Sequence, residues 1–139
     1  ASLDPQLFPP TARLVHAESF AAAVERLAVG ADDFVLIATN NKDREALDKL
    51  IDRPVAWLGL LASRRKVQVF LRQLRESGVA EEHIARLHAP VGYNIGAETP
   101  HEIAVSVLAE ILQIKNQAPG GLMMPAYQDS EGQKKLETA

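Results

Sequence analysis

Ser63-Arg64-Arg65-Lys66 sets three adjacent cations where a helix should begin. A helix N-terminus already carries partial positive charge and several N–H donors without intrahelical partners, so this run is unfavourable unless an anion uses it. The chemistry it suits is recognition of a phosphate or a carboxylate, and the block reaches back to Gly59 as Gly59-Leu-Leu-Ala-Ser-Arg-Arg-Lys66. A second stretch, His88-Ala-Pro-Val-Gly-Tyr-Asn-Ile-Gly-Ala-Glu-Thr-Pro100, supplies an imidazole, the Asn94 amide and two glycines, Gly92 and Gly96. Those glycines suit either a sharply turning backbone or close approach to a ligand. Thr39 and Asn40 contribute further hydrogen-bonding groups after an apolar run. His16, His83 and His101 lie on different elements without metal-ligand spacing, so no metal held directly by side chains is expected.

The elements that must position these groups can be read from periodicity. Residues Ala1 to Ala12 hold three prolines and no periodic pattern, and they lead into a short strand expected at Arg13 to His16. Phe20, Ala23, Val24 and Leu27 fall at helical spacing, with Gly30 as the stop. Phe34-Val-Leu-Ile-Ala38 is a short, continuous apolar run of the kind found in parallel strands buried on both faces. Asn40 and Asn41 are good caps for a helix of about ten residues that carries Leu47, Leu50 and Ile51 on one stripe, while Lys42 to Asp48 form a solvated face. Pro54 ends it, and Val55 to Leu60 is the next buried strand.

A helix is expected over Ser63 to Ser77 with Val67, Phe70, Leu71 and Leu74 as its core stripe and Gly78 as the left-handed residue beyond it; a short one follows at Ala80 to Leu87. Thr99, Pro100 and Glu102 mark the last helix, as cap, first helical residue and capping-box partner. Its apolar face, Ile103, Val107 and Ile111 flanked by Ala104, Leu108 and Leu112, is broad enough to pack on a sheet, and it should run to about Asn116. The alternation predicts an α/β doubly wound, Rossmann-like parallel sheet over residues 1–117, followed by a mobile or partner-docked tail over 118–139 that includes Met123 and Met124. In such a sheet the segments Thr39 to Asn41, Gly59 to Lys66 and His88 to Gly96 all follow strands and gather at one edge.

Composition narrows the function classes. The chain has 139 residues, 47% hydrophobic and 24% charged, enough for one core. A formal charge of -3 argues against a general binder of nucleic acid or anionic membrane, so an anion site must be local. Zero Cys removes disulfides, thiolate metal sites and a cysteine nucleophile. No apolar run reaches the roughly 18 residues of a membrane span, and no basic-then-apolar leader opens the chain, so the expectation is a cytoplasmic protein.

At Gly59 to Lys66, at His88-Ala-Pro-Val-Gly92, at Ile95-Gly-Ala-Glu-Thr-Pro100 and at Glu102-Ile-Ala-Val-Ser-Val-Leu-Ala-Glu110 the chain resembles the XdhC/CoxI family, accessory proteins of xanthine dehydrogenase and carbon monoxide dehydrogenase, from about Pro5 to Ile114. The resemblance is to that family's carboxyl-terminal Rossmann-like domain. Three departures stand out. The strand, Gly-rich turn, helix and strand that usually open the domain do not precede Ala1, and no GxGxxG occurs, so the expectation is a sheet lacking its first strand-helix-strand unit. Thr39-Asn40-Asn41-Lys42 stands where the family has Thr-His-Asp/Asn-His. Ala62 replaces a glycine and Asn94 an aspartate.

The resemblance implies an accessory or maturation factor for a molybdenum-containing hydroxylase, binding the molybdenum cofactor (molybdopterin) or a nucleotide for cofactor insertion or sulfuration. Thr39, Asn40, Gly59, Ser63, Arg64, Arg65, Lys66, His88, Gly92, Asn94 and Gly96 would form the ligand site. The expected partners are a xanthine dehydrogenase-type apoenzyme and a second chain or a second copy. Two alternatives stay open: a nucleotide- or NAD(P)-dependent enzyme with His88 as acid or base, and a purely structural oligomerisation module.

Overall fold

Phe34–Ile37 (β1) and Trp57–Leu60 (β2) are the strands that the apolar runs announce, and they pair in parallel with Phe34 opposite Trp57 and Ile37 opposite Leu60. Leu87–His88 (β3) adds a short third strand, parallel to β2, with Leu58 opposite Leu87 and Gly59 opposite His88. The order β1-β2-β3 follows the sequence, as in one wing of a doubly wound sheet, where each crossover adds the next strand on the same side. The computed structural model describes residues 4–124, which fall into two compact units divided between Tyr93 and Asn94.

In the first unit, helix Phe20–Leu27 (α1) precedes the sheet, Asp43–Leu50 (α2) joins β1 to β2, and Arg64–Glu76 (α3) with Glu81–Ala85 (α4) joins β2 to β3. Side chains alternate across a strand. Ile37, Leu58 and Leu60 point into a core shared with Val24 of α1, Leu47 and Leu50 of α2, Val67 and Leu74 of α3, and Ile84 of α4. Leu47, Leu60 and Leu74 are completely buried there. The alternate residues Phe34, Leu36, Trp57 and Gly59 belong to the opposite face, where Phe34 and Leu36 remain 38% and 42% exposed.

Several boundaries differ from expectation. Residues 13–16 form no strand: the Arg13 guanidinium donates to the Arg26 carbonyl at 3.1 Å, and Arg26 donates to the His16 carbonyl, so this segment is tied to α1 and not to a ladder. The left-handed stop of α1 is Ala28 (φ 50°), while Gly30 opens a turn closed by Asp33, whose carboxylate accepts from the Gly30 N–H at 2.7 Å. The short helix ends at Ala85 because Leu87 and His88 are claimed by strand pairing. Gly78 takes the left-handed turn after α3, with φ 83°.

The second unit carries Pro100–Asn116 (α5). Its start is the capping box foreseen from sequence: Thr99 Oγ1 accepts from the Glu102 N–H at 3.3 Å, and Glu102 Oε2 accepts from the N–H groups of Thr99 at 2.9 Å and Glu98 at 2.8 Å. The broad apolar face is divided: Val107 is buried, whereas Leu108 and Leu112 are 57% and 53% exposed, because they lie about 100° and more around the helix from Val107. Leu122, Met123 and Met124 are exposed, and the remainder of the expected tail, residues 125–139, lies outside the described residues. No helix among the described residues is long and apolar enough to cross a membrane.

The Thr99 N–H, then the Glu98 N–H and the Thr99 hydroxyl, hold the Glu102 carboxyl below the usual glutamate value. A carboxyl depressed in the folded state stabilises above its unfolded value, and that contribution disappears as pH falls through the folded value. An NMR titration should therefore place the Glu102 midpoint below ordinary glutamates, and Glu102→Gln should flatten stability against pH on the acid side. A Glu102 midpoint among the ordinary glutamates would contradict the capping geometry.

Candidate anion-binding site

Because Ile37 and Leu60 are register partners, β1 and β2 release their chains at the same level of the sheet. The first loop is organised by Thr39. Its Oγ1 accepts from the Lys42 N–H at 3.0 Å and donates to Asp43 Oδ1 at 2.6 Å. This corrects the expectation that Asn40 or Asn41 caps α2. Asn41 instead takes φ 69° to turn the chain, a conformation Asn tolerates, and the N-cap position falls to Lys42, whose side chain makes no capping bond.

The expectation of a solvated face over Lys42 to Asp48 also fails at its first turn. Asp43 is only 3% exposed, and Ala46 and Leu47 behind it are core residues. The second loop delivers Ser63, whose Oγ accepts from the Lys66 N–H at 3.3 Å to cap α3. Lys66 Nζ then reaches to 3.9 Å from Asp43 Oδ2, linking the first turns of α2 and α3.

Of the three cations in the block, Lys66 alone has found a carboxylate. Arg64 and Arg65 are exposed and have no ion pair among the described residues, and their backbone N–H groups, the first two of α3, have no acceptor there either. Arg44 behaves differently. Its guanidinium donates to Asp48 at 2.8 Å, Gln73 at 3.0 Å and Ser77 at 3.0 Å, so it braces α2 against α3. Between the two helix starts lies an open groove of ≈ 510 Å³ lined by Asn41, Asp43, Arg44, Ser63, Arg65, Lys66, Val69 and Phe70. It offers cations and hydrogen-bond donors at one wall, a carboxylate at another, and an apolar patch beside them. Among the described residues no group of three or more His, Asp or Glu is placed to hold a metal ion.

The remaining sequence candidates are placed elsewhere. Thr39 donates to Asp43, and Asn40 and Arg64 are exposed next to groove residues in the chain without lining the groove themselves. Gly59 and His88 are register partners on the sheet face that carries Trp57. The His88 imidazole lies 5.7 Å from the Trp57 ring, which also stacks on Phe34 at 6.3 Å. A Cβ on Gly59 would stand 2.1 Å from Trp57 Cη2, so this glycine is required by the indole lying across it. Gly92 (φ 102°) serves a turn, as does Gly96 (φ 71°) in the second unit, where Asn94 is exposed. The residue missed by sequence reasoning is Asp43. Its signal was the hydroxyl at Thr39 four residues earlier, across a helix start, which marks an acidic residue turned inward.

A parallel α/β sheet whose polar loops meet at the carboxyl ends of its strands, beside a cation-tipped helix, defines a Rossmann-like module. The family described as the XdhC Rossmann domain matches residues 3–111, and the chain belongs to it. An uncharacterised Escherichia coli K12 protein, YqeB, is 81% identical over 123 residues, which are 88% of this chain and 23% of that one. A probable xanthine dehydrogenase subunit of Bacillus subtilis is 35% identical over 60% of this chain and 24% of its own length. The Escherichia coli molybdenum cofactor insertion chaperone PaoD is 30% identical over 63% of this chain and 28% of its own. In the crystal structure of a Bacillus halodurans xanthine dehydrogenase, the matched region has a TM-score of 0.58 and 29% identity, covering 78% of this chain and 31% of that one. The chain thus spans about a quarter of the length of the curated relatives it matches.

Trp57 is the one tryptophan of the chain, so its emission reports directly on the packing over Gly59. Gly59→Ala should shift that emission and cost about 1–3 kcal/mol in denaturant unfolding, the usual range for overpacking. Unchanged emission and stability would show that the indole does not require the glycine.

Proposed function

We propose that this chain is the cofactor-handling module of a maturation factor for a molybdenum-containing hydroxylase, and that the groove between α2 and α3 binds a phosphate-bearing ligand, molybdopterin or a nucleotide, for delivery to the apoenzyme. The observation that carries the reading is the pair of cations, Arg64 and Arg65, without an ion pair among the described residues at the N-terminus of α3, where Arg65 lines an open groove. Relatives named as a molybdenum cofactor insertion chaperone and a probable xanthine dehydrogenase component support the class of process.

The physical account is direct. Arg64, Arg65 and Lys66 add to the positive end of the α3 dipole, and in a chain free of ligand they repel one another and that end. A phosphate removes the repulsion and takes up the free N–H groups of Arg64 and Arg65, each charge-assisted hydrogen bond being worth about 1.5–3 kcal/mol. Ser63 and Asn41 flank the same place. Both arginines are exposed, so binding is open to exchange and weakened by salt, which suits a carrier that must release its cargo. Delivery needs only a difference in affinity between carrier and recipient. His88 lies against Trp57 and outside the groove, which weighs against the reading in which it turns over a nucleotide.

Calorimetric titration with molybdenum cofactor released from a hydroxylase tests the reading. Arg64→Ala combined with Arg65→Ala should weaken binding about tenfold or more while the circular dichroism spectrum stays that of the parent. Equal affinity in the double variant would remove the arginine block from the site.

A further inference from the structure

We infer that the groove distinguishes its ligands by a ring edge as well as by a phosphate. Asp43 reads a paired N–H edge of the 2-amino-4-oxo type, as in a pterin or guanine, and disfavours rings of the adenine type. The inference rests on the anion-binding reading of the same groove.

Asp43 is 3% exposed, yet its side chain lines the groove. Oδ1 accepts from Thr39 Oγ1 at 2.6 Å, while the nearest group to Oδ2 is Lys66 Nζ at 3.9 Å, beyond hydrogen-bond reach. Among the described residues, then, Oδ2 accepts no hydrogen bond. Oδ2 is not among the fully buried side-chain atoms without a partner, so it keeps an opening to the groove, and a donor arriving there gains a charge-assisted hydrogen bond. Thr39 occupies one lone pair of Oδ1 and leaves the others free, so in the proposed contact both oxygens serve as acceptors.

Two coplanar acceptors match two parallel N–H donors, the geometry that makes bidentate carboxylate contacts strong and selective. A 2-amino-4-oxo ring presents such a pair, a ring N–H beside an exocyclic NH₂. The corresponding edge of adenine places a ring nitrogen lone pair against the carboxylate, leaving buried groups unpaired and repelling. Sites built to hydrogen-bond a donor reject analogues that lack it far more sharply than apolar pockets reject a missing methylene.

The rest of the groove accommodates this polarity. Arg65, on the α3 side, remains for phosphate, since Lys66 is the cation already facing Asp43. Val69 and Phe70 give an apolar wall for a ring face between the two ends. A volume of ≈ 510 Å³ falls in the range of small-molecule sites and suits a mononucleotide or a phosphorylated pterin.

Calorimetry on the 139-residue chain with inorganic phosphate, GMP, IMP and AMP decides the matter. GMP and IMP differ by the 2-amino group alone, so the comparison needs no variant: GMP should bind about tenfold more tightly than either IMP or AMP. Asp43→Asn should bring the GMP:IMP and GMP:AMP ratios close to one while inorganic phosphate still binds, at least as tightly as to the parent, because a carboxylate facing Lys66 is lost. Equal affinity of the parent chain for GMP and AMP overturns the inference, and so does a preference that survives Asp43→Asn; in both cases Asp43 would be meeting sugar hydroxyls, or nothing. If phosphate binds but no base preference exists, only this inference falls. If neither phosphate nor any nucleotide binds, the anion-binding reading falls with it.

Discussion

Parallel pairing places Ile37 of β1 opposite Leu60 of β2, and the candidate site follows from that register. Both strands end at one level, so the chain leaving β1 meets the chain leaving β2 within a few residues. Thr39 then turns its hydroxyl to Asp43, and Ser63 turns its own to the start of α3. The first turns of two helices are brought together, and Lys66 reaches across to Asp43. A slip of one residue would send Ile37 and Leu60 out of the core and carry both loops away from each other.

Electrostatics at this junction are unbalanced. One carboxylate faces three consecutive cations at a helix end where positive charge is already disfavoured by up to about 1 kcal/mol per group. Lys66 is the cation that Asp43 approaches, at a distance where the attraction is modest and no hydrogen bond forms. Other charges on the same helices are fully spent: Arg44 on Asp48, Gln73 and Ser77, and Arg75 on Glu81. Satisfied and unsatisfied charges thus stand side by side on α3. Among the described residues Arg64 and Arg65 have no ion pair at the open end of α3, and neither do Arg72 and Glu76 further along it.

Much of this is legible in the residues alone. The runs Phe34 to Ala38 and Val55 to Leu60 announce parallel strands because they are apolar without alternation, although the expected burial on both faces fails in β1, where Phe34 and Leu36 stay 38% and 42% exposed and the helices cover the Ile37 face. Thr99-Pro100 with Glu102 announces a helix start because each residue answers a specific backbone need there. Less is legible where a residue's role depends on how another side chain lies, whether near or far in sequence. Arg13 to His16 has strand-like composition, yet two guanidinium-to-carbonyl contacts with α1 take its place in a ladder. Gly59 could be read as a point of ligand approach, and only the indole of Trp57 lying over it gives the steric reason for a missing side chain. Leu108 and Leu112 fit a broad apolar face by sequence, although burial selects the narrower stripe through Val107.

The sequence by itself determined the element types, the parallel α/β class, the cation-tipped start of α3 and the family to which these motifs belong, because each depends on local periodicity, caps or contiguous residues. Tertiary structure decided which of those cations is neutralised, that Asp43 is buried and not solvated, and that His88 and Gly59 belong with Trp57 and not with the groove. Those outcomes turn on strand register and on which face of the sheet a side chain leaves from, and contacts between residues some twenty positions or more apart follow from packing, not from spacing along the chain.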